Sequence, residues 1–250
     1  MLSLSTMASS LSNFQLKRVC IFTTFSDYSP AYSLCRIAGD QVKMLTRAGY
    51  KPVVLVSEGF KPAGPFDNPD IEFRYLPRVA VHNEVKKDET FDEDVSAIAL
   101  ALEEALKNID VVIDHDVIYQ NASLKHNFAA RRIAEKFPNI LWLHWIHSAT
   151  SPVKLDALRP IFVDEYLKLV QKPFPNSLYV FFNHYSIPRI ARDFGVPESL
   201  VRVVHHPSDL SQVLGLTKEV TKFADEKNLY EADAICVYPA RLDRGKQVEY

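Results

Sequence analysis

Arg18-Val19-Cys20-Ile21-Phe22-Thr23-Thr24, then Ser29-Pro30, then Leu34, Ile37, Ala38, Gln41, Val42, Leu45 and Ala48 at helical spacing up to Gly49, then Pro52-Val53-Val54-Leu55-Val56, together spell one architectural unit. The first and last runs are apolar without alternation, as strands covered on both faces are. Ser29 and Pro30 offer a helix cap and a first-turn proline, and Gly49 a stop. Strand, helix and strand in that order predict a β-α-β unit around a parallel sheet.

The same alternation continues downstream. The stretch from Gly59 to Pro69 reads as loop, and Ile71 to Leu76 as a more exposed strand. A helix with an acidic first turn is expected from about Phe91 to Lys107, with Val95, Ile98, Leu102, Ala105 and Leu106 inward. Val111 to Asp114 is the next strand, followed by a helix lined by Leu124, Phe128, Ile133 and Phe137, and by the aromatic-rich strand Ile140 to Ile146. A helix is expected over Leu155 to Gln171, interrupted by Pro160. Leu178 to Phe182 and Val201 to His205 are the last strands, with a short helix, Ser186 to Phe194, stopped by Gly195. The expected fold class is therefore α/β, a doubly wound parallel sheet over residues 17–214, preceded by an unstructured Ser-rich leader at 1–16. Residues 215–230 read as a connector with a helix-like stretch, Thr217 to Asn228, and 231–250 as the start of a second, truncated domain with a fresh strand at Ala234 to Tyr238.

Composition narrows the function classes. With 47% hydrophobic and 24% charged residues the chain reads as globular, and disorder and coiled coil are excluded. Its 29 basic and 31 acidic residues give −2, no field for a polyanion, so nucleic acid is not an expected partner. None of the 7 glycines forms G-x-G, and Gly59 and Gly64 are followed by Pro65 where a phosphate loop needs Lys, which excludes the dinucleotide fingerprint and the P-loop. Cys20, Cys35 and Cys236 are widely spaced and form no C-x-x-C, so they read as reduced core thiols of a cytoplasmic protein. No stretch has the roughly 18 apolar residues of a membrane span, and the first residues lack the pattern of a signal peptide.

Several residue sets could carry chemistry. Arg241 and Lys246 stand on the loop leaving the Ala234 strand, where open α/β sheets take their ligands; a guanidinium fork and an ammonium can grip a diphosphate, although two loop cations are also what solvent carries. Asp114 and Asp116 flank His115 at a strand end and read as loop-capping carboxylates or as a hydrolase dyad. His144 and His147, three apart on an extended segment, fall on opposite faces, which argues against a shared metal; His144 reads as a core histidine and His147, at the strand's carboxyl end, as a cleft residue. His205 and His206 read as a polar loop at a domain edge. Lys125, Arg131, Arg132 and Lys136 give one helix a basic face, a solvated surface or a weak peripheral contact for anionic lipid. No G-x-S-x-G elbow or Cys with a nearby base supports acyl chemistry.

Taken in order, the landmarks resemble the GT-B glycosyltransferases of the family-four, or group-1, type. Arg18 to Thr24 looks like that family's first strand, and Arg47-Ala48-Gly49-Tyr50-Lys51-Pro52-Val53 is similar to its turn into the second. Asp110-Val111-Val112-Ile113-Asp114-His115 and Trp145-Ile146-His147 resemble two strands that end in histidine. Val201-Arg202-Val203-Val204-His205-His206-Pro207 is similar to the segment before the interdomain connector, and Tyr238-Pro239-Ala240-Arg241-Leu242-Asp243-Arg244-Gly245-Lys246 to the opening of the donor domain.

The resemblance implies two Rossmann-like domains, the first for the acceptor and the second for a nucleotide-sugar, which is a co-substrate; no cofactor and no metal is implied. Arg241 and Lys246 would bind the donor's diphosphate, His147 would sit near the transferred sugar, and the loop Ser26, Asp27, Ser29 with Tyr32 would approach donor phosphate and acceptor. The acceptor would be a glycan or another hydroxyl compound. A paired-glutamate motif would lie beyond Tyr250, so the resemblance also implies little turnover by the 250-residue chain alone. The competing expectation is a non-catalytic Rossmann-like module that recognises a glycan or a protein.

Overall fold

A computed structural model of the chain describes residues 17–77, 88–118, 123–147, 168, 172–207, 217–234 and 236. Seven strands, β1 Val19–Phe22, β2 Val53–Ser57, β3 Glu72–Leu76, β4 Val111–His115, β5 Leu141–Trp145, β6 Ser177–Phe181 and β7 Val201–Val203, pair in parallel in the order β3-β2-β1-β4-β5-β6-β7. From β1 the chain moves outward to β3, then returns to place β4 on the other side of β1. The direction of winding thus reverses between β1 and β4, the switch point at which such sheets open a crevice beyond their carboxyl ends.

Burial explains why these runs become strands. Every residue of β1 and β2 is buried, and a fully buried aliphatic or aromatic side chain contributes roughly 1.5–3 kcal/mol relative to an exposed one. Alternate residues feed two cores. Cys20, Phe22, Val53, Leu55, Val112, Trp142 and Tyr179 face one layer of helices; Ile21, Val54, Val56, Ile113, Trp145 and Val180 face the other. β3 is half exposed, with Tyr75 at 47%, as its alternating sequence predicts for an edge strand.

Helix α1, Ser33–Arg47, covers the second face with Leu34, Cys35, Ala38, Gln41, Val42 and Leu45 buried. Its N-cap is Tyr32 rather than the expected Ser29: Ser29 and Pro30 instead form a turn in which Tyr32 N–H donates to the Ser29 carbonyl, 3.1 Å. Gly39 is required by a close approach, since a Cβ there would lie 2.7 Å from Pro65 in the loop that drives Phe66 into this core. Gly49 closes the helix at φ 84°.

Helices α2, Phe91–Ala105, and α3, Leu124–Lys136, cover the first face together with α4, Ile187–Phe194, which stops at Gly195 with φ 64° as expected. The basic face expected on α3 is divided: Arg132 and Lys136 are exposed, Lys125 is partly buried and Arg131 is buried. Lys125 Nζ reaches Asp94 Oδ2 (2.5 Å) and Asp88 (3.3 Å), Lys136 Nζ reaches Glu103 (2.5 Å), and Arg132 donates to Ser96 Oγ (3.2 Å). Arg131 is buried, donating to Asn127 Oδ1 and the Lys172 carbonyl at 2.8 Å each and lying over the Phe174 ring. Asp88 and the acidic residues of α2 thus pair with Lys125 and Lys136, which the sequence of α3 alone could not reveal.

Helix α5, Lys218–Glu226, begins at Thr217, whose hydroxyl accepts from Val220 N–H. Strand β7 ends at Val203, two residues short of the expected His205. Cys20 and Cys35 are buried as expected, but Cys236 is exposed, so the core reading fails for that thiol. The expected helix Leu155 to Gln171 lies outside the described residues except for Lys168, which is helical, and of the expected strand Ala234 to Tyr238 only Ala234 and Cys236 are described, neither in a strand. Among the described residues no helix is long and apolar enough to cross a membrane.

Candidate functional site

The switch point directs attention to the end of β4. Successive side chains of a strand leave on opposite faces, so Asp114 and His115, the last two residues of β4, part company. Asp114 is 1% exposed and bonds His144 Nδ1 through Oδ2 on the α2–α3 face. Its register partner across β5 is His144 itself, which is fully buried against Phe174 (4.6 Å between ring centres) and Tyr179 (5.1 Å). His144 is therefore the expected core histidine, although among the described residues its Nε2 has no hydrogen-bond partner and neither has Asp114 Oδ1. Asp116 turns out of the strand with φ 63°, so it does not continue the alternation, and with Asp114 sealed inside no carboxylate dyad faces a common cleft.

His115 faces the other way, toward α1, and is 2% exposed. Its Nε2 lies 2.8 Å from Gln41 Oε1, and its Nδ1 2.9 Å from His147 Nε2. His147 follows β5 by two residues and is half-buried, with its ring stacked between His115 (5.1 Å, 24°) and His206 (5.4 Å, 14°). His206 in turn accepts at Nδ1 from the Trp145 indole N–H (3.2 Å) and packs on Phe182. Three imidazoles from the ends of β4, β5 and β7 thus form one column at the carboxyl edge of the sheet, buttressed by a helix amide and an indole.

Electrostatics follow from that packing. Burial holds His115 well below the usual histidine range, and the neighbouring rings of His147 and His206 push in the same direction. Burial, then His206, pushes His147 down to about 3. Burial and then His205 lower His206. At neutral pH the column is uncharged, suited to hydrogen-bond chemistry with hydroxyls and poorly suited to gripping phosphate.

Of the residues expected at a site, His147 stands in this column. Ser26, Asp27, Ser29 and Tyr32 follow the carboxyl end of β1, the strand beside β4; Ser26 Oγ donates to Asp27 Oδ1 (3.4 Å), and Tyr32 packs edge-on against Phe25. Arg241 and Lys246 lie outside the described residues. Gln41 and His206 are additions. Gln41 is the one polar member of the inward row of α1, and His206 is no domain-edge polar loop: its ring completes the column. Among the described residues no set of three or more His, Cys, Asp or Glu side chains is arranged to hold a metal ion. A cleft of about 480 Å³ at the opposite, amino-terminal edge is bordered by Arg18, Lys51 and Glu72, but Arg18 is occupied by Glu72 at 2.7 Å, and open α/β sheets bind at the other edge.

No protein-family model matches the chain, and no curated protein does. Among solved structures it is similar to a glycosyltransferase from Rickettsia africae ESF-5, at 14% identity and a TM-score of 0.48 over 88% of this chain and 52% of that one. It is also similar to WaaG, a glycosyltransferase involved in lipopolysaccharide biosynthesis, at 9% identity and a TM-score of 0.49 over 84% of this chain and 51% of that one. The chain spans about half the length of these solved structures.

Proposed function

We propose that the chain is the acceptor-side lobe of a GT-B-type glycosyltransferase, of the family-four kind, that moves a sugar from a nucleotide-sugar to a hydroxyl of a glycan or related acceptor. In that reaction the bond from the sugar's anomeric carbon to the diphosphate breaks, the acceptor oxygen takes its place, and the acceptor's proton leaves with the diphosphate. The observation that carries the reading is the uncharged His147 at the carboxyl edge, beside the switch point of a parallel sheet. A neutral imidazole there is fit to hold a sugar hydroxyl, and leaves the diphosphate to cations elsewhere. The family resemblance assigns that second task to Arg241 and Lys246, and the approach to donor phosphate and acceptor to Ser26, Asp27, Ser29 and Tyr32. The free thiols Cys20, Cys35 and Cys236 agree with a cytoplasmic location, where no disulfide is needed.

The test is donor binding. The chain is titrated with uridine- and guanosine-diphosphate hexoses and, separately, with glycans. Arg241→Ala and Lys246→Ala should each weaken donor binding about tenfold or more, the loss of a charge-assisted contact. Binding that is unchanged in both variants would overturn the reading, and binding of a glycan with no affinity for any nucleotide-sugar would replace it with a non-catalytic recognition module.

A further inference from the structure

The loop after β1 is held at both ends and untied in the middle. The Thr23 N–H and hydroxyl both donate to the Leu55 carbonyl (3.1 and 3.0 Å), Ser57 N–H donates to the Phe25 carbonyl (2.8 Å) and Ser57 Oγ to the Thr24 carbonyl (3.1 Å), so Thr23, Thr24 and Phe25 are tied to β2. Tyr28 is the second anchor. Its ring end stands over Gly64, where a Cβ would lie 2.7 Å from the phenol oxygen, and its ring meets Phe66 edge-on with 6.1 Å between centres. Phe66 is fully buried, takes Phe25 (6.3 Å) and Phe60 (5.9 Å) edge-on as well, and follows Pro65, which Gly39 admits onto α1. Between the anchors, Ser26 and Asp27 hydrogen-bond only to each other among the described residues, and Asp27 is exposed and forms no ion pair there.

We propose that Gly64 and Phe66, through Tyr28, are positioning residues that hold Ser26 and Asp27 as a fixed tip at the carboxyl end of β1, and that this tip takes hydroxyls of a neutral acceptor sugar and not the donor's diphosphate. The anchoring stands on geometry; the choice of ligand rests on the reading of the site as sugar-transferring. The Asp27 carboxylate can accept from two hydroxyls, each bond charge-assisted and about twice as strong as a neutral one, but it repels phosphate oxygen. The Ser26 hydroxyl both donates and accepts, and neither residue supplies the positive charge that a diphosphate needs. A tip fixed before the ligand arrives avoids the entropy cost of ordering a loose loop. The atoms that a Cβ at residue 64 would meet are the far end of the Tyr28 side chain, so a substitution there displaces the ring and need not unfold the fold. Gly64 also stands at φ 57°, where any side chain adds left-handed strain, and Tyr28→Ala reaches the same seat without it.

The experiment is 15N relaxation and chemical-shift NMR of the full 250-residue chain. In the wild type the Ser26 and Asp27 amides should be as ordered as those of β1, with order parameters of about 0.85, and values below about 0.6 overturn the anchoring without any variant having to fold. Gly64→Ala and Tyr28→Ala should each lower the order of those two amides and leave β1 unchanged, and the double variant should add nothing, because both remove one seat. Additive losses, or no loss in either single variant, overturn the positioning role. For the ligand, the chain is titrated with glucose, galactose, mannose and N-acetylglucosamine, and separately with inorganic pyrophosphate. A sugar should shift the Asp27 amide, with an affinity about tenfold lower in Asp27→Asn and in Gly64→Ala, and pyrophosphate should leave that amide in place. A shift with pyrophosphate, or none with any of the sugars, overturns the ligand assignment. Uridine diphosphate hexose separates this inference from the transferase reading. Donor binding together with an Asp27 amide that answers pyrophosphate keeps the transferase and rejects the sugar tip, whereas an Asp27 amide that answers sugar in a chain without affinity for any nucleotide-sugar keeps the tip and rejects the transferase.

Discussion

The two faces of the β4–β5 pair hold the same residue type in opposite circumstances. On one face His144 is walled in by Trp142, Phe174 and Tyr179 and bonded to a carboxylate, Asp114. On the other, His115 and His147 meet an amide and each other, with no carboxylate in either ring's hydrogen-bonding set among the described contacts. Sealing alone does not make a histidine functional, because His144 is the more deeply buried. What distinguishes the second face is that its rings are chained by hydrogen bonds and end in a half-buried member at the sheet's carboxyl edge. The first face welds two strands to the α2–α3 layer; the second lines the sheet's carboxyl edge.

Acid should break the comparison most strongly. His115 and His147 have folded-state pKa values below the unfolded value of about 6.5. As pH falls below that value the unfolded chain takes up protons that the folded chain refuses. Stability is therefore full above about pH 6.5 and declines as pH falls below it, by up to about 1.4 kcal/mol per pH unit for each such site until the folded chain takes up the proton. His126, buried with neither ring nitrogen hydrogen-bonded among the described residues and pushed by burial down to about 4, adds to the same slope. Urea unfolding at a series of pH values measures this decline, and His115→Phe should flatten it by one site; an identical slope in that variant would contradict the account.

Next in size is the other face. Asp114→Ala removes the only partner of a fully buried imidazole nitrogen and should cost about 3 kcal/mol at neutral pH. A urea midpoint within experimental error of the wild type would show that the pair is not a structural tie. His147→Ala sharpens the contrast from the functional side. It also unpairs His115 Nδ1, so it should cost about 1 kcal/mol, less than Asp114→Ala, and it should weaken glycan or nucleotide-sugar binding about tenfold. A stability loss larger than that of Asp114→Ala with unaltered binding would exchange the roles of the two faces. The smallest effect is expected at the surface of the helical layer that covers Asp114 and His144. Lys136→Ala breaks an exposed pair with Glu103 and should cost under about 0.5 kcal/mol, without altering the chain's retention on anionic vesicles.

Much of the fold was legible because its signals are local. The buried runs at Val19 to Phe22 and Val53 to Ser57, the periodicity of α1 and the stop at Gly195 all operate within one element, and each stands close to where its residues predicted. The candidate site was legible only in part. Strand alternation separated His144 from His147 and Asp114 from His115, but nothing near His206 in sequence announced a partner 59 positions earlier at His147, a ring contact of 5.4 Å. The partners of the basic face of α3 were hidden for the same reason, since Asp88, Asp94 and Glu103 belong to another stretch of chain.

A residue's side of a strand, or its place on the inward row of a helix, is set by backbone geometry that repeats every two or 3.6 residues, and for that the order of amino acids suffices. Charge and tautomer obey a different physics. They depend on how much water is excluded and on which dipoles stand within 3 Å, and those are supplied here by residues 41, 115, 147 and 206, assembled by parallel crossovers that no local pattern encodes. Alternation alone could point His147 away from the core histidine; packing set it between His115 and His206.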